Sequence, residues 1–189
     1  MLVAKSGSVT FAQPQTAGHL IVLAAGWHDT TSKISNVSDL AGDTFQLVTG
    51  TVKSVGMALS QSIYYAPNIA ASPSNKITVA FTAMPRGFDL RAMEYSGVSA
   101  FDTASALNDV SVVANSGTAT PSGSPPELLV AAGITAEKYS GGVTGFILRT
   151  TTPSAGIVED RLTSRPGGYS ASAPVTQPGE WLLQLAAFH

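Results

Sequence analysis

Short apolar runs recur along the whole chain at intervals of about ten to fifteen residues, and Gly, Pro, Asn or Ser closes nearly every one. Such runs are too brief to carry the long apolar stripe of a packed helix. They match strands of roughly four to eight residues whose side chains alternate between two faces. The pattern predicts strands over residues 8–12, 20–27, 33–37, 44–51, 57–65, 76–83, 89–96, 110–114, 128–134, 144–151, 156–162, 168–173 and 181–188, and no helix longer than a turn or two. Many short strands joined by tight turns read as an all-β fold, here a jelly-roll-like antiparallel β-sandwich.

Two runs, "LIVLAAGW" and "WLLQLAAF", are apolar on nearly every residue, which predicts central strands covered on both faces. "KITVAFTA" alternates instead, with Ile77, Val79 and Phe81 on one face and Thr78, Ala80 and Thr82 on a wet one. Charged residues are only 12% of the chain, about half the usual share, so the polar surface must come from Ser, Thr, Asn and Gly. These residues favour turns and strands and disfavour helices. The Ser/Gly/Pro-rich stretch "ANSGTATPSGSPPE", residues 114–127, is linker-like. It reads as a surface loop of a single domain, 1–189, because the piece after it would make a marginal core alone.

The net charge of −2 and the absence of any Lys or Arg run argue against a nucleic-acid partner and against an anionic membrane surface. No cysteine is present, which excludes disulfides, zinc thiolates and thiol catalysis. "MLVAKSGSVTF" is too short in apolar residues for a signal peptide, so an exported protein would carry its signal upstream; no segment approaches the roughly 20 apolar residues of a membrane span.

Adjacent strand residues point to opposite faces, so Tyr64 and Tyr65 cannot line one site. Tyr65 shares a face with Leu59, Gln61 and Ile63 and is expected in the core. Tyr64 follows Ser60 and Ser62 and is expected outward, where it could stack on a sugar ring or pair across strands. Trp27 and Trp181 lie at strand ends, as a binding platform or as core closure; Tyr139 and Tyr169 lie beside glycines in expected loops and complete the ligand candidates.

His19, His28 and His189 are far apart in sequence; only His28 with Asp29 forms a local pair, in the loop after Trp27. No nucleophile elbow, phosphate loop or dinucleotide fingerprint occurs. Asp39 and Asp43 flank a glycine turn, as calcium ligands or as turn formers. Glu159 and Asp160, neighbours on a strand, face opposite ways, and a buried acid there must be paired. Arg91, Arg149 and Arg161 are available to pair with Glu94 or Glu159.

"QTAGHLIVLAAGWHDTTSKISNVSDLAGDTFQLV", "SQSIYYAPNIAASPSNKITVAF", "DLRAMEYSG", "ELLVAAG", the Glu159–Asp160 pair, "GYSASAP" and "EWLLQLAAF" together resemble an uncharacterised module of bacterial, extracellular, multidomain proteins. The resemblance spans residues 15–188. It implies a secreted all-β sandwich beside adhesive or sugar-binding modules, and it carries no catalytic residues. The charged positions that match are Asp89, Arg91, Glu94, Glu127, Glu159 and Asp160.

These features predict a non-catalytic extracellular carbohydrate-binding or adhesive module, with a glycan as its partner. The alternative is a structural subunit that assembles with copies of itself through strand addition. A polysaccharide-cleaving enzyme, the third reading, would require two facing acids in a groove.

Overall fold

The structure, a computed structural model, describes residues 5–56, 58–142 and 145–189. Its strands are β1 (Ser6–Thr10), β2 (Leu20–Trp27), β3 (Ile34–Asp39), β4 (Gln46–Leu47), β5 (Val52–Lys53), β6 (Ser60–Ala66), β7 (Lys76–Phe81), β8 (Phe88–Tyr95), β9 (Phe101–Asn115), β10 (Leu128–Thr135), β11 (Ile147–Thr151), β12 (Gly156–Leu162) and β13 (Ser172–Phe188). No helix occurs among the described residues. The expected starts at Met57 and Thr144 lie outside them.

The chain is an all-β antiparallel β-sandwich. Its two main sheets have the orders β4–β6–β2–β8, with β5 also on β6, and β11–β12–β10–β13–β9. A third sheet, β1–β7–β3, covers the outer face of the first, so that sheet lies between two others. This explains why "LIVLAAGW" is apolar throughout. Ile21 and Leu23 pack with Ile77, Val79 and Phe81 on one side, and Leu20, Val22 and Ala24 pack with Val130, Ala132 and Phe188 on the other. β7 keeps the expected alternation: Ile77, Val79 and Phe81 are buried, while Thr78 and Ala80 are half-buried.

The third sheet overturns the expected orientation of Tyr64. Its serine-rich face is turned inward: Ser60 and Ser62 are buried, and Tyr64 is half-buried against the cluster of Leu23, Ile77 and Phe81. Tyr65 packs into the other core, edge-on to Phe188 with ring centroids 5.6 Å apart, and its hydroxyl donates to Gln46 Oε1 at 2.9 Å.

Two long strands bend. β9 begins at Phe101, nine residues before the expected start at 110, because an edge strand open on one side needs no continuous apolar face. β13 passes through Pro174 and Pro178, with its pairing to β9 shifting register between Pro174 and Gly179. A bulge at a sheet margin tolerates proline where regular pairing would not. Beyond the shift, Ala114 and Ala173 join a third core under β10 and β13, with Leu129, Tyr139, Trp181 and Leu183. β9, which precedes the loop 116–127, pairs with β13, which follows it.

Candidate functional site

All five aromatic candidates belong to or pack against a core cluster. Trp27 is fully buried, edge-on to Phe81 at 5.7 Å. Trp181 is buried, and its Nε1–H donates to Ser111 Oγ at 2.9 Å. Tyr64 is placed as described above. Tyr139, expected in an exposed loop, is 8% exposed; its hydroxyl donates to the Leu182 carbonyl at 3.1 Å, and burial pushes the phenol pKa up. Gly133 makes this possible, since a Cβ there would lie 2.4 Å from the Tyr139 hydroxyl. Tyr169, like Tyr64, is half-buried against a core cluster, with the Arg161 guanidinium 5.2 Å from its ring centroid and its hydroxyl donating to the Arg165 carbonyl.

Asp39 and Asp43 close a turn. Asp39 Oδ1 accepts the N–H groups of Gly42 and Asp43 at 2.8 and 2.9 Å, and its Oδ2 accepts Asn75 Nδ2–H at 2.8 Å. Asp43 Oδ1 accepts the Ala70 N–H at 2.8 Å. Three of the four carboxylate oxygens thus already face N–H donors, and Asp43 Oδ2 does not. Burial raises the Asp43 pKa, the Ala70 N–H works against that rise, and the adjacent Asp39 carboxylate adds to it.

Arg91, Arg149 and Glu94 form structural ion pairs with partners other than those expected from the sequence. Arg91 is sealed between the two main sheets, with Nη1 donating to the Gly133 and Ile157 carbonyls at 2.6 Å each and Nη2 to Gln61 Oε1 at 2.9 Å. Its ion partner is Asp89, at 3.3 Å. Gly156 leaves the room, because a Cβ there would lie 1.9 Å from Asp89 Oδ2. Asp160 is held by Arg149 through two hydrogen bonds, 2.7 and 2.9 Å, and by the Tyr95 hydroxyl at 2.9 Å. Glu94 takes His19 Nδ1 at 2.7 Å. Glu159 and Asp160 face opposite ways, and both are buried because both faces of the sheet are covered.

Two clefts remain. One, of about 330 Å³, is lined by Glu94, Tyr95, Leu128, Ile147, Arg149 and Asp160; its charges are already paired, Arg149 with Asp160 and Glu94 with His19. The larger, about 770 Å³, lies at one end of the middle sheet. There β2 ends at Trp27, opposite Ser60 of β6 and Phe88 of β8, so three connections converge. His28, Asp29, Thr31 and Ser32 line it from the first connection, Gly56 and Ala58 from the second, and Met84 and Arg86 from the third.

This groove has a fixed wall and an unengaged cation. Asp29 Oδ1 accepts the N–H groups of Thr31 and Ser32 at 2.9 and 2.7 Å, and Oδ2 accepts Ser32 Oγ–H at 2.8 Å. Burial opposes ionisation of Asp29, but the bonds from Ser32 and Thr31 outweigh it and hold the carboxyl below the usual aspartate range. Ser60 Oγ donates to the Asp29 carbonyl at 2.7 Å, and Lys53 Nζ donates to the Thr30 carbonyl at 2.7 Å. Arg86 is exposed and makes no ion pair among the described residues. The sequence singled out only His28 and Asp29 here. Lys53 and Arg86 carry no local signal, since only the strand pairing brings them beside residues 28–32.

No protein-family model matches the chain, and no curated protein and no solved structure matches it.

Proposed function

We propose that the protein is a non-catalytic, extracellular carbohydrate-binding or adhesive module whose ligand lies in the end groove between residues 28–32, Gly56 and Ala58, and residues 83–86. The observation that carries this reading is the lining: imidazole, hydroxyl and guanidinium groups beside the exposed thioether of Met84, on loops anchored to a rigid sandwich. Hydroxyl-rich ligands are recognised by such mixed surfaces. Among the described lining residues Asp29 is the only carboxylate and both its oxygens accept hydrogen bonds, which favours binding over a paired-acid cleavage. The resemblance to bacterial extracellular modules supports the extracellular setting.

Retention of the purified chain on a panel of immobilised polysaccharides tests the reading. Selective retention is expected for the native chain. It should be lost in Ala83→Trp, which fills the groove from an exposed position, with the melting midpoint unchanged. Full retention by that variant would remove the groove from consideration.

A second reading, self-assembly, is favoured by one specific feature. β9 is an edge strand of 15 residues whose Leu107, Val110, Val112 and Val113 are 46–52% exposed. Long apolar edges invite pairing with another chain. An antiparallel pairing of two β9 strands centred on Asn108 would set Asp109 opposite Leu107 and Asp102 opposite Ala114, so no two carboxylates would oppose each other.

A further inference from the structure

We infer that the groove takes an anionic polysaccharide, one bearing carboxylate or sulfate groups; the inference rests on reading the groove as a glycan site. Four cationic residues distant in sequence lie on the lining or next to it. Arg86 lines it, and Lys53 lies with Nζ 2.7 Å from the carbonyl of Thr30, a lining residue. Lys5 Nζ donates to the carbonyl of Thr82 at 3.0 Å, next to Ala83 of the lining. Lys33 follows Ser32, and its carbonyl accepts the Thr82 N–H at 2.8 Å. All four residues are exposed, and His28 stands among them.

Each ammonium bonded to one carbonyl keeps two further N–H donors for a ligand, and Arg86 keeps its whole guanidinium fork. Two carboxylates oppose the four cations. Asp29 is committed to Thr31 and Ser32, and Glu180 lies behind Gly56 with Ser54 Oγ donating to it. A chain of net charge −2 therefore concentrates positive charge at this groove. A cleft focuses that field, and a planar guanidinium recognises carboxylate or sulfate through paired hydrogen bonds.

The test uses the full chain in affinity electrophoresis and titration calorimetry against polygalacturonate, dextran sulfate and neutral dextran and galactan. Binding to an anionic polymer is expected, weakening at least about tenfold as ionic strength approaches about 1 M, where the Debye length is about 3 Å. Arg86→Gln and Lys53→Gln should each weaken it about three- to tenfold at an unchanged melting midpoint, while Lys138→Gln outside the groove should leave it unaltered. Preference for polygalacturonate assigns a carboxylate ligand, and preference for dextran sulfate assigns a sulfated one. Equal, salt-insensitive binding of neutral polymers would overturn the anionic inference and leave the glycan reading standing. Anionic binding indifferent to Arg86→Gln and Lys53→Gln would overturn it as well. Retention of no polysaccharide at all would overturn both.

Discussion

Asp89 and Arg91 lie two residues apart on the same face of β8, paired at 3.3 Å and sealed between the two main sheets. Burying two charges is costly, and the pair is tolerable because Arg91 also donates to the carbonyls of Gly133 and Ile157. The same network reaches Gln61, whose Nε2–H groups donate to the Ala132 carbonyl and to Gln184 Oε1 at 2.8 and 3.1 Å. The sandwich halves are thus registered by hydrogen bonds as well as by apolar packing.

Removing one member of this pair should be expensive. Arg91→Ala is expected to cost about 3–5 kcal/mol in urea unfolding, because it leaves Asp89 buried without its counter-charge and the Gly133 and Ile157 carbonyls without their donor. A loss below about 1 kcal/mol would mean that water already reaches the network.

Tyr139 should behave as a core residue. Tyr139→Phe removes one buried hydrogen bond and is expected to cost about 1 kcal/mol. Tyr139→Ala is expected to cost about 3–5 kcal/mol, with polysaccharide retention unchanged below the melting midpoint. Retention lost with stability intact would return Tyr139 to the list of ligand contacts.

The strands were legible where local pattern and environment agree. Continuous apolarity in β2 and at the end of β13 marked strands covered on both faces, and alternation in β7 marked one open face. The orientation of Tyr64 was not legible, because Ser60 and Ser62 signal a wet face, whereas the covering β1–β7–β3 sheet buries them with hydrogen bonds to the Asp29 carbonyl and to Thr51. The start of β9 was hidden because "FDTASALNDV" is half-exposed and has no strong period. Ion partners were hidden for a different reason. Register, which a sequence does not state, sets Arg149 beside Asp160 and Asp89 beside Gly156. The groove was half legible: "WHDTTSK" marked its first loop, but Lys5, Lys53 and Arg86 reach it only through the fold.

The Asp39–Asp43 turn gives a pH dependence. The folded pKa of Asp43 is raised above the ordinary value of 3.8, so the folded state binds more protons between 3.8 and that raised value. Stability from this group therefore falls as pH rises through that window and stays reduced at neutral pH. Asp43→Asn, whose amide oxygen can still accept the Ala70 N–H, should raise the melting midpoint at pH 7, and the gain should vanish near pH 3. A destabilised variant at pH 7 would show that the charge at Asp43 is needed, as a bound cation would require.

If β9 pairs between copies, light scattering should give a concentration-dependent dimer. Val110→Lys combined with Val112→Lys should return it to a monomer without lowering the melting midpoint, since charged edge residues block strand addition. A native chain that stays monomeric at all concentrations would dismiss this second reading.

The most direct measurement is a backbone amide NMR titration of the chain with an oligosaccharide of the polymer it binds, oligogalacturonate or sulfated dextran. Shift changes are expected to centre on residues 28–32, 54–58 and 82–87. Changes confined to β9 or to the Arg149–Asp160 cleft would contradict the assignment of the groove.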